Sequence, residues 1–482
     1  MAGKAMLHSA GPVGRILVSV VLLALCWIRP AFSDETRPNI VVVMVDDMQL
    51  GLLSSMPTVK TLARGGITFD TARIQVALCA PSRSTLLTGR YAQNTTVYTN
   101  SHSKFYTAGN PADTFAVALQ NVGYRTALVG KYINGYPSPA TKTYIPPGWT
   151  SWLGRIAASN GDEPYNYRLN ENGVVTSYGA TAADYATDVY FGKALKFIDS
   201  SVAASTPFFV VISVHAPHDP STPAPRHLQL YNKAAIPKGP AFNEADVSDK
   251  PSFIRSKGIF GSSALAKATT NYRNRLRSLR AVDEGLSAIM QRLASYQLSE
   301  RTYVVFFADN GVLFGEHRMM RSKGGPYEEC NAVALVMRGP GIPAGQRRPH
   351  LVTNADLAAT FADWAGAAPP TGSDGRSLQP LLGTTVPEED SWRQAIPLTL
   401  VRNGSTPNWP AFYGLRSRDY MYAHYDTDER ELYDLRTDPY ELQNIAALAS
   451  PEFLAKLDER ALQLNACHGD FCRALEDEPI TP

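Results

Sequence analysis

Asn39-Ile40-Val41-Val42-Val43-Met44-Val45 is a β-branched run that stops on two adjacent carboxylates, Asp46 and Asp47. Side chains on a strand point alternately to opposite faces, so a strand with no polar alternates must be covered on both sides. That condition is met inside a sheet layered between helices. Residues 125–129, 208–214 and 303–308 have the same character. Between these runs lie amphipathic stretches at 114–122 and 271–296, the latter with Leu276, Leu279, Leu286, Ile289 and Leu293 at helical spacing. Alternating strands and helices predict an α/β fold, with a mixed, largely parallel sheet sandwiched between helices.

The polar residues that follow each run carry most of the functional information. Asp46-Asp47, Gly130-Lys131, His215-Ala216-Pro217-His218 and Asp309-Asn310-Gly311 each come directly after a predicted strand. In open α/β sheets ligands sit beyond the carboxyl ends of the strands. Carboxylates, a lysine, imidazoles and an amide are therefore expected to converge on one site. After residue 395 the texture changes: 413–425 reads as an aromatic hairpin, 431–435 as a strand, and Ser450-Pro451 as a capped helix start. Leu454, Leu457, Ala461 and Leu464 then line one face. The expected organisation is a signal peptide at 1–33, a catalytic domain at 34–394 and a small α+β subdomain at 395–482.

Export follows from the first residues. Lys4 and Arg15 precede an apolar run from 16 to 28, and Ala31-Phe32-Ser33 offers a cleavage point. The run is shorter than the roughly 20 residues of a membrane span, although a signal anchor is the competing reading. Removing it takes three of the 46 basic residues and leaves 43 against 44 acidic ones. A nearly neutral chain gives no support to nucleic-acid binding or a membrane-surface patch, and with no second long apolar stretch after the first, stable membrane insertion is not expected. A secreted, periplasmic or lysosomal destination is equally compatible. Cys26 leaves with the signal, and Cys467 and Cys472 are close enough to pair, leaving Cys79 and Cys330 as free thiols. An unpaired thiol in an oxidising compartment must be buried or have a task. Asn94-Thr95-Thr96 and Asn403-Gly404-Ser405 match the N-glycosylation triplet.

Cys79-Ala80-Pro81-Ser82-Arg83, followed by Leu87-Thr88-Gly89-Arg90, resembles the signature of the sulfatase family, whose fold is alkaline phosphatase-like. The resemblance implies that a formylglycine-generating enzyme oxidises Cys79 to formylglycine, whose hydrate attacks a sulfate ester with one hydroxyl and expels sulfate with the other. It implies Asp46, Asp47, Asp309 and Asn310, with Cys79 beside them, as ligands of a divalent cation. Hard oxygen donors favour calcium, with magnesium as an alternative. By the same resemblance Arg83 steadies the formylglycine, Lys131 and Lys323 contact sulfate, and His218 binds sulfate or serves the leaving group. His215 is either an orienting or a structural imidazole.

One position departs from the pattern. Many arylsulfatases carry a histidine two residues after the lysine matched by Lys131, and here that residue is Ile133. His317 is a candidate substitute or a structural residue, and Asp283 reads as a buried, hydrogen-bonded acid. Tyr144-Ile145-Pro146-Pro147-Gly148-Trp149 and Tyr165-Asn166-Tyr167 are similar to the N-acetylglucosamine-6-sulfatases and extracellular endosulfatases, whose long basic insert is missing. The implied substrate is a sulfated carbohydrate such as glucosamine 6-sulfate, or an aryl sulfate. A phosphate or phosphonate ester hydrolase of the same superfamily and a silent glycan-binding relative are the alternatives.

Overall fold

The computed structural model describes residues 37–157, 164–402 and 409–481. The expected signal peptide, Cys26 and the triplet beginning at Asn403 lie outside the described residues.

The predicted strands form the middle of a ten-stranded sheet. Five neighbours run parallel in the order Thr302–Ala308, Asn39–Val45, Phe208–Ser213, Arg125–Gly130 and Ser151–Ile156. Every residue of Asn39–Val45 is buried, with Val43 opposite Ile212 on one side and Phe306 on the other. That register is why the run tolerates no polar alternate. Leu335–Arg338 and Arg168–Glu171 join antiparallel at the two flanks, which makes the sheet mixed.

Helices Pro57–Arg64, Ala186–Ala203 and Ser262–Ser295 pack together as one layer, and Cys79–Thr88, Phe115–Asn121 and Ala355–Ala365 as another. In the second layer Phe115 and Phe361 meet Phe209 of the sheet, with ring centroids 5.1 and 5.3 Å away. The long helix starts at Ser262, nine residues before the predicted onset. Its first turns are largely exposed, so no apolar period marks them. Asp283, near its middle, accepts from Thr58 N at 2.8 Å and Val59 N at 3.3 Å, capping the start of helix Pro57–Arg64. It is a structural acid.

The C-terminal unit is a four-stranded antiparallel sheet, Ala395–Leu400, Phe412–Ser417, Tyr420–Tyr425 and Arg430–Asp434, with helix Pro451–Leu464 on it. Ser450 Oγ accepts from Phe453 N at 3.1 Å, the expected cap. A final helix, Gly469–Asp477, was not legible as one in the sequence. Cys467 and Cys472 are disulfide-bonded, and Cys79 and Cys330 are free and buried. Asn94 Nδ2 donates to Asp374 Oδ2 and to the Cys467 carbonyl, both at 2.9 Å, so its amide is engaged inside the protein. Among the described residues no helix is long and apolar enough to cross a membrane.

Candidate active site

The carboxyl ends of four neighbouring parallel strands deliver the polar groups. Asp46 and Asp47 follow Asn39–Val45, Lys131 follows Arg125–Gly130, His215 and His218 follow Phe208–Ser213, and Asp309 and Asn310 follow Thr302–Ala308. Two backbone features aim them. Asp47 has a left-handed φ of 57°, which turns its carboxylate out of the strand direction. Gly130 has φ 106°, and a Cβ there would lie 2.1 Å from the Ser213 carbonyl, so a side chain would push the neighbouring strand ends apart. Lys131 N donates to that same carbonyl at 2.9 Å.

Cys79 opens helix Cys79–Thr88 and is wholly buried. Its Sγ lies 3.0 Å from Lys323 Nζ, 3.3 Å from Asp46 Oδ1 and 3.7 Å from Asp47 Oδ1. Burial, and then the Asp46 charge, push the thiol far above its ordinary value. An unmodified Cys79 therefore stays protonated and is a poor nucleophile.

The charged groups interlock. Lys131 Nζ bonds Asp46 Oδ2, and Lys323 Nζ donates to both Asp47 oxygens at 2.6 and 2.8 Å. His215 Nδ1 is 3.3 Å from Asp46 Oδ2, and His218 Nε2 is 3.4 Å from Asp47 Oδ2. Burial opposes ionisation of Asp46, but Lys131, His218, His215 and Arg83 outweigh it and hold the carboxyl well below its ordinary range. Burial likewise opposes ionisation of Asp47, yet Lys323 and His218 bring it down to about 2. Asp309 is raised, by burial first and then by the Asp46 charge. Burial lowers His215 to about 4, which makes it a neutral imidazole near pH 7.

Arg83 sits behind Cys79, one helical turn on. Its Nε donates to Asp309 Oδ2 at 2.8 Å, and its Nη1 to Ser213 Oγ at 2.7 Å and the Lys131 carbonyl at 3.0 Å. One guanidinium thus fixes three strand ends. Its Nη2 has no hydrogen-bond partner and lies 3.6 Å from Asp46 Oδ2. The open side of the cluster is formed by His218 and Lys323, whose side chains are 22% and 18% exposed.

The donor set suits a hard dication. Asp46, Asp47 and Asp309 supply carboxylate oxygens, and Asn310 Oδ1 is buried with no hydrogen-bond partner while its Nδ2 donates to Asp47 Oδ1. A fully buried amide oxygen left unbonded beside carboxylates is what a cation ligand looks like without its ion counted. Asp46, Asp47, Cys79 and His218 each offer a ligand atom within 4.8 Å of the others.

The sequence reading missed Arg275. This buried arginine of the long helix donates to the Asp47 and Pro217 carbonyls and holds two of the strand-end loops together. Its phase with Tyr272, Leu276 and Leu279, on the apolar face, was the available signal. His317 lies elsewhere: its Nδ1 bonds Glu244 Oε2 at 2.8 Å and its ring stacks on Tyr327. Ile133, at the departing position, is a buried core residue, and the nitrogen group bonded to Cys79 Sγ is Lys323.

The sulfatase family model matches residues 38–367, two-thirds of the chain and the whole of this cluster. The chain belongs to the sulfatase family. Sulfatases are sulfuric ester hydrolases, and the cluster is this sulfatase's candidate catalytic centre. A second model, described as N-sulphoglucosamine sulphohydrolase, C-terminal, matches residues 315–466. The goat (Capra hircus) N-acetylglucosamine-6-sulfatase is 31% identical over 92% of this chain and 86% of its own length. A structure solved in complex with its substrate D-glucosamine-2-N,6-O-disulfate superposes with a TM-score of 0.75 at 25% identity, covering 89% of this chain and 97% of the other. The phosphonate monoester hydrolase of Agrobacterium radiobacter shares the fold, with a TM-score of 0.69 at 22% identity, covering 89% and 96%.

Proposed function

We propose that this sulfatase is exported and removes O-sulfate from a sugar, with the 6-sulfate of glucosamine or N-acetylglucosamine as its preferred ester. The observation that carries the chemistry is the placement of Cys79 Sγ within 3.0–3.7 Å of Lys323, Asp46 and Asp47 at the strand ends. The likeness to N-acetylglucosamine-6-sulfatase along nearly the full chain supports the substrate.

Oxidation of Cys79 by a formylglycine-generating enzyme supplies an aldehyde hydrate, one hydroxyl of which displaces the sugar oxygen from sulfur while the other, on losing its proton, releases sulfate. Asp46, Asp47, Asp309 and Asn310 would hold the cation, with calcium favoured by their hard oxygen donors, and it would supply Lewis acidity toward the sulfate oxygens and the hydrate. The remaining work belongs to side chains. Lys131 and Lys323 hold the sulfate oxygens as point charges. Lys323, in contact with position 79 and kept cationic by Asp47, steadies the negative charge that develops on the hydrate. His218, on the open side, donates a proton to the leaving sugar oxygen. His215, kept neutral by burial, orients Asp46. Arg83 braces the strand ends behind the nucleophile.

Lys323→Ala is expected to lower kcat by about 10²–10³-fold, the scale of removing one preorganised charge at a developing anion. Steady-state kinetics on an aryl sulfate check this, and an effect confined to KM removes Lys323 from the chemical step. The function itself is tested by sulfate release from defined sulfated mono- and disaccharides, alongside an aryl sulfate and the matching aryl phosphate. Release from the 6-position, lost with chelator and restored by calcium, is the expected result. Faster turnover of the phosphate assigns the chain to the ester chemistry of its phosphonate-hydrolysing neighbour instead. The peptide containing residue 79 should carry the mass of an aldehyde; an intact thiol in active protein overturns the mechanism.

A further inference from the structure

We propose that His317, Glu329 and Glu441 form a second cation site, for a zinc-type dication, which fastens the C-terminal unit to the catalytic core. Each of the three offers a ligand atom within 4.8 Å of the other two. His317 Nε2, Glu329 Oε2 and Glu441 Oε1 are all buried and have no hydrogen-bond partner. His317 and Glu441 are wholly inaccessible to solvent.

The remaining polar atoms of these side chains are used in ways that fix the orphaned ones. His317 Nδ1 bonds Glu244 Oε2 at 2.8 Å, and its ring stacks on Tyr327 with centroids 4.0 Å apart. A histidine that gives one ring nitrogen to a carboxylate and leaves the other free is the arrangement that orients metal-binding imidazoles. Glu441 Oε2 accepts from Glu328 N at 2.9 Å, which leaves Oε1 as the free oxygen.

Other buried carboxylates of the molecule are compensated. Glu431 receives the hydroxyls of Tyr327, Tyr425 and Tyr433, and Glu476 is paired with Arg393 at 2.7 Å. Buried carboxylate oxygens with no donor are strongly unfavourable, and a dication between them removes the penalty. One imidazole with two carboxylates suits zinc, whereas calcium takes an all-oxygen shell. A cavity of about 190 Å³, bordered by Glu316, Glu328 and Glu329, gives an ion a route to Glu329. His317 and Glu329 flank the segment that carries Lys323, while Glu441 follows the last strand of the C-terminal sheet. A shared ion therefore couples that segment to the appended unit.

The test uses the full-length, calcium-loaded protein after dialysis against chelator and return of calcium, titrated with zinc by calorimetry. Wild type should take up one equivalent of zinc that Glu441→Gln binds at least about 100-fold more weakly. Glu441→Gln should keep its aryl sulfate turnover within about twofold, because Glu441 is not part of the Cys79 cluster. X-ray absorption of zinc-loaded wild type should show an imidazole nitrogen and carboxylate oxygens around the metal. Should Glu441→Gln fail to fold, Glu329→Gln and the wild-type absorption spectrum decide the matter. No zinc uptake by wild type, full uptake by the variants, or an all-oxygen zinc shell each overturns the site. In those cases the three groups share protons instead.

Discussion

Cys79→Ala is expected to reduce sulfate-ester turnover by about 10⁴-fold or more, the scale seen when a covalent nucleophile is deleted. The structure argues that the loss will be chemical rather than a failure to fold. Residue 79 is buried at the first position of its helix, and alanine is favoured within a helix. The atom removed touches Lys323, Asp46 and Asp47 rather than apolar neighbours, so no hydrophobic cavity opens. The unfolding midpoint should match wild type. Measured single-turnover and steady-state rates check the prediction. A variant that retains a hundredth of wild-type activity removes Cys79 from the nucleophile's place.

The second large effect is on stability. Arg393 is wholly buried and ties the core to the end of the chain. Its Nη1 and Nη2 hold Asp356, on helix Ala355–Ala365, at 2.6 and 2.7 Å, while its Nε holds Glu476, on helix Gly469–Asp477, at 2.7 Å. Arg393→Met keeps the bulk and removes the charge, leaving two buried carboxylates without it. The expected destabilisation is about 3–5 kcal/mol, the usual result of breaking a buried ion pair from one side. Arg393→Lys should recover only part of it, because a single ammonium cannot reproduce a planar fork across two carboxylates. Urea unfolding of the three proteins measures this. A loss under about 1 kcal/mol for Arg393→Met places the pair among those of surface strength.

Much of the site was legible because its residues stand next to their strands in the chain. Asp46-Asp47, Lys131, His215, His218, Asp309 and Asn310 each follow an apolar run, and parallel strands deliver their carboxyl ends to one edge. The resemblance of the Cys79 segment to the sulfatase signature added the nucleophile and its expected oxidation. His317 was a different case. It stood as a candidate substitute for the missing histidine or as a structural residue, and its ring is turned to Glu244 and Tyr327. Backbone dihedrals of 50° at His317 and 57° at Arg318 reverse the chain there, and local spacing does not report such reversals.

The amino-acid order alone specified the layered α/β class and the polar strand ends, because burial on both faces and the period of a helix are written in consecutive residues. Packing decided the rest. That Arg83 would brace Asp309 and Ser213, that Arg275 would lock the loops after two strands, and that Glu329 and Glu441 would meet His317 depend on contacts between segments far apart in the chain. Such pairs carry no periodic signature. They come together only when the sheet register and the docking of the last sheet bring their elements into contact, and the strength of a buried charge depends on what then surrounds it.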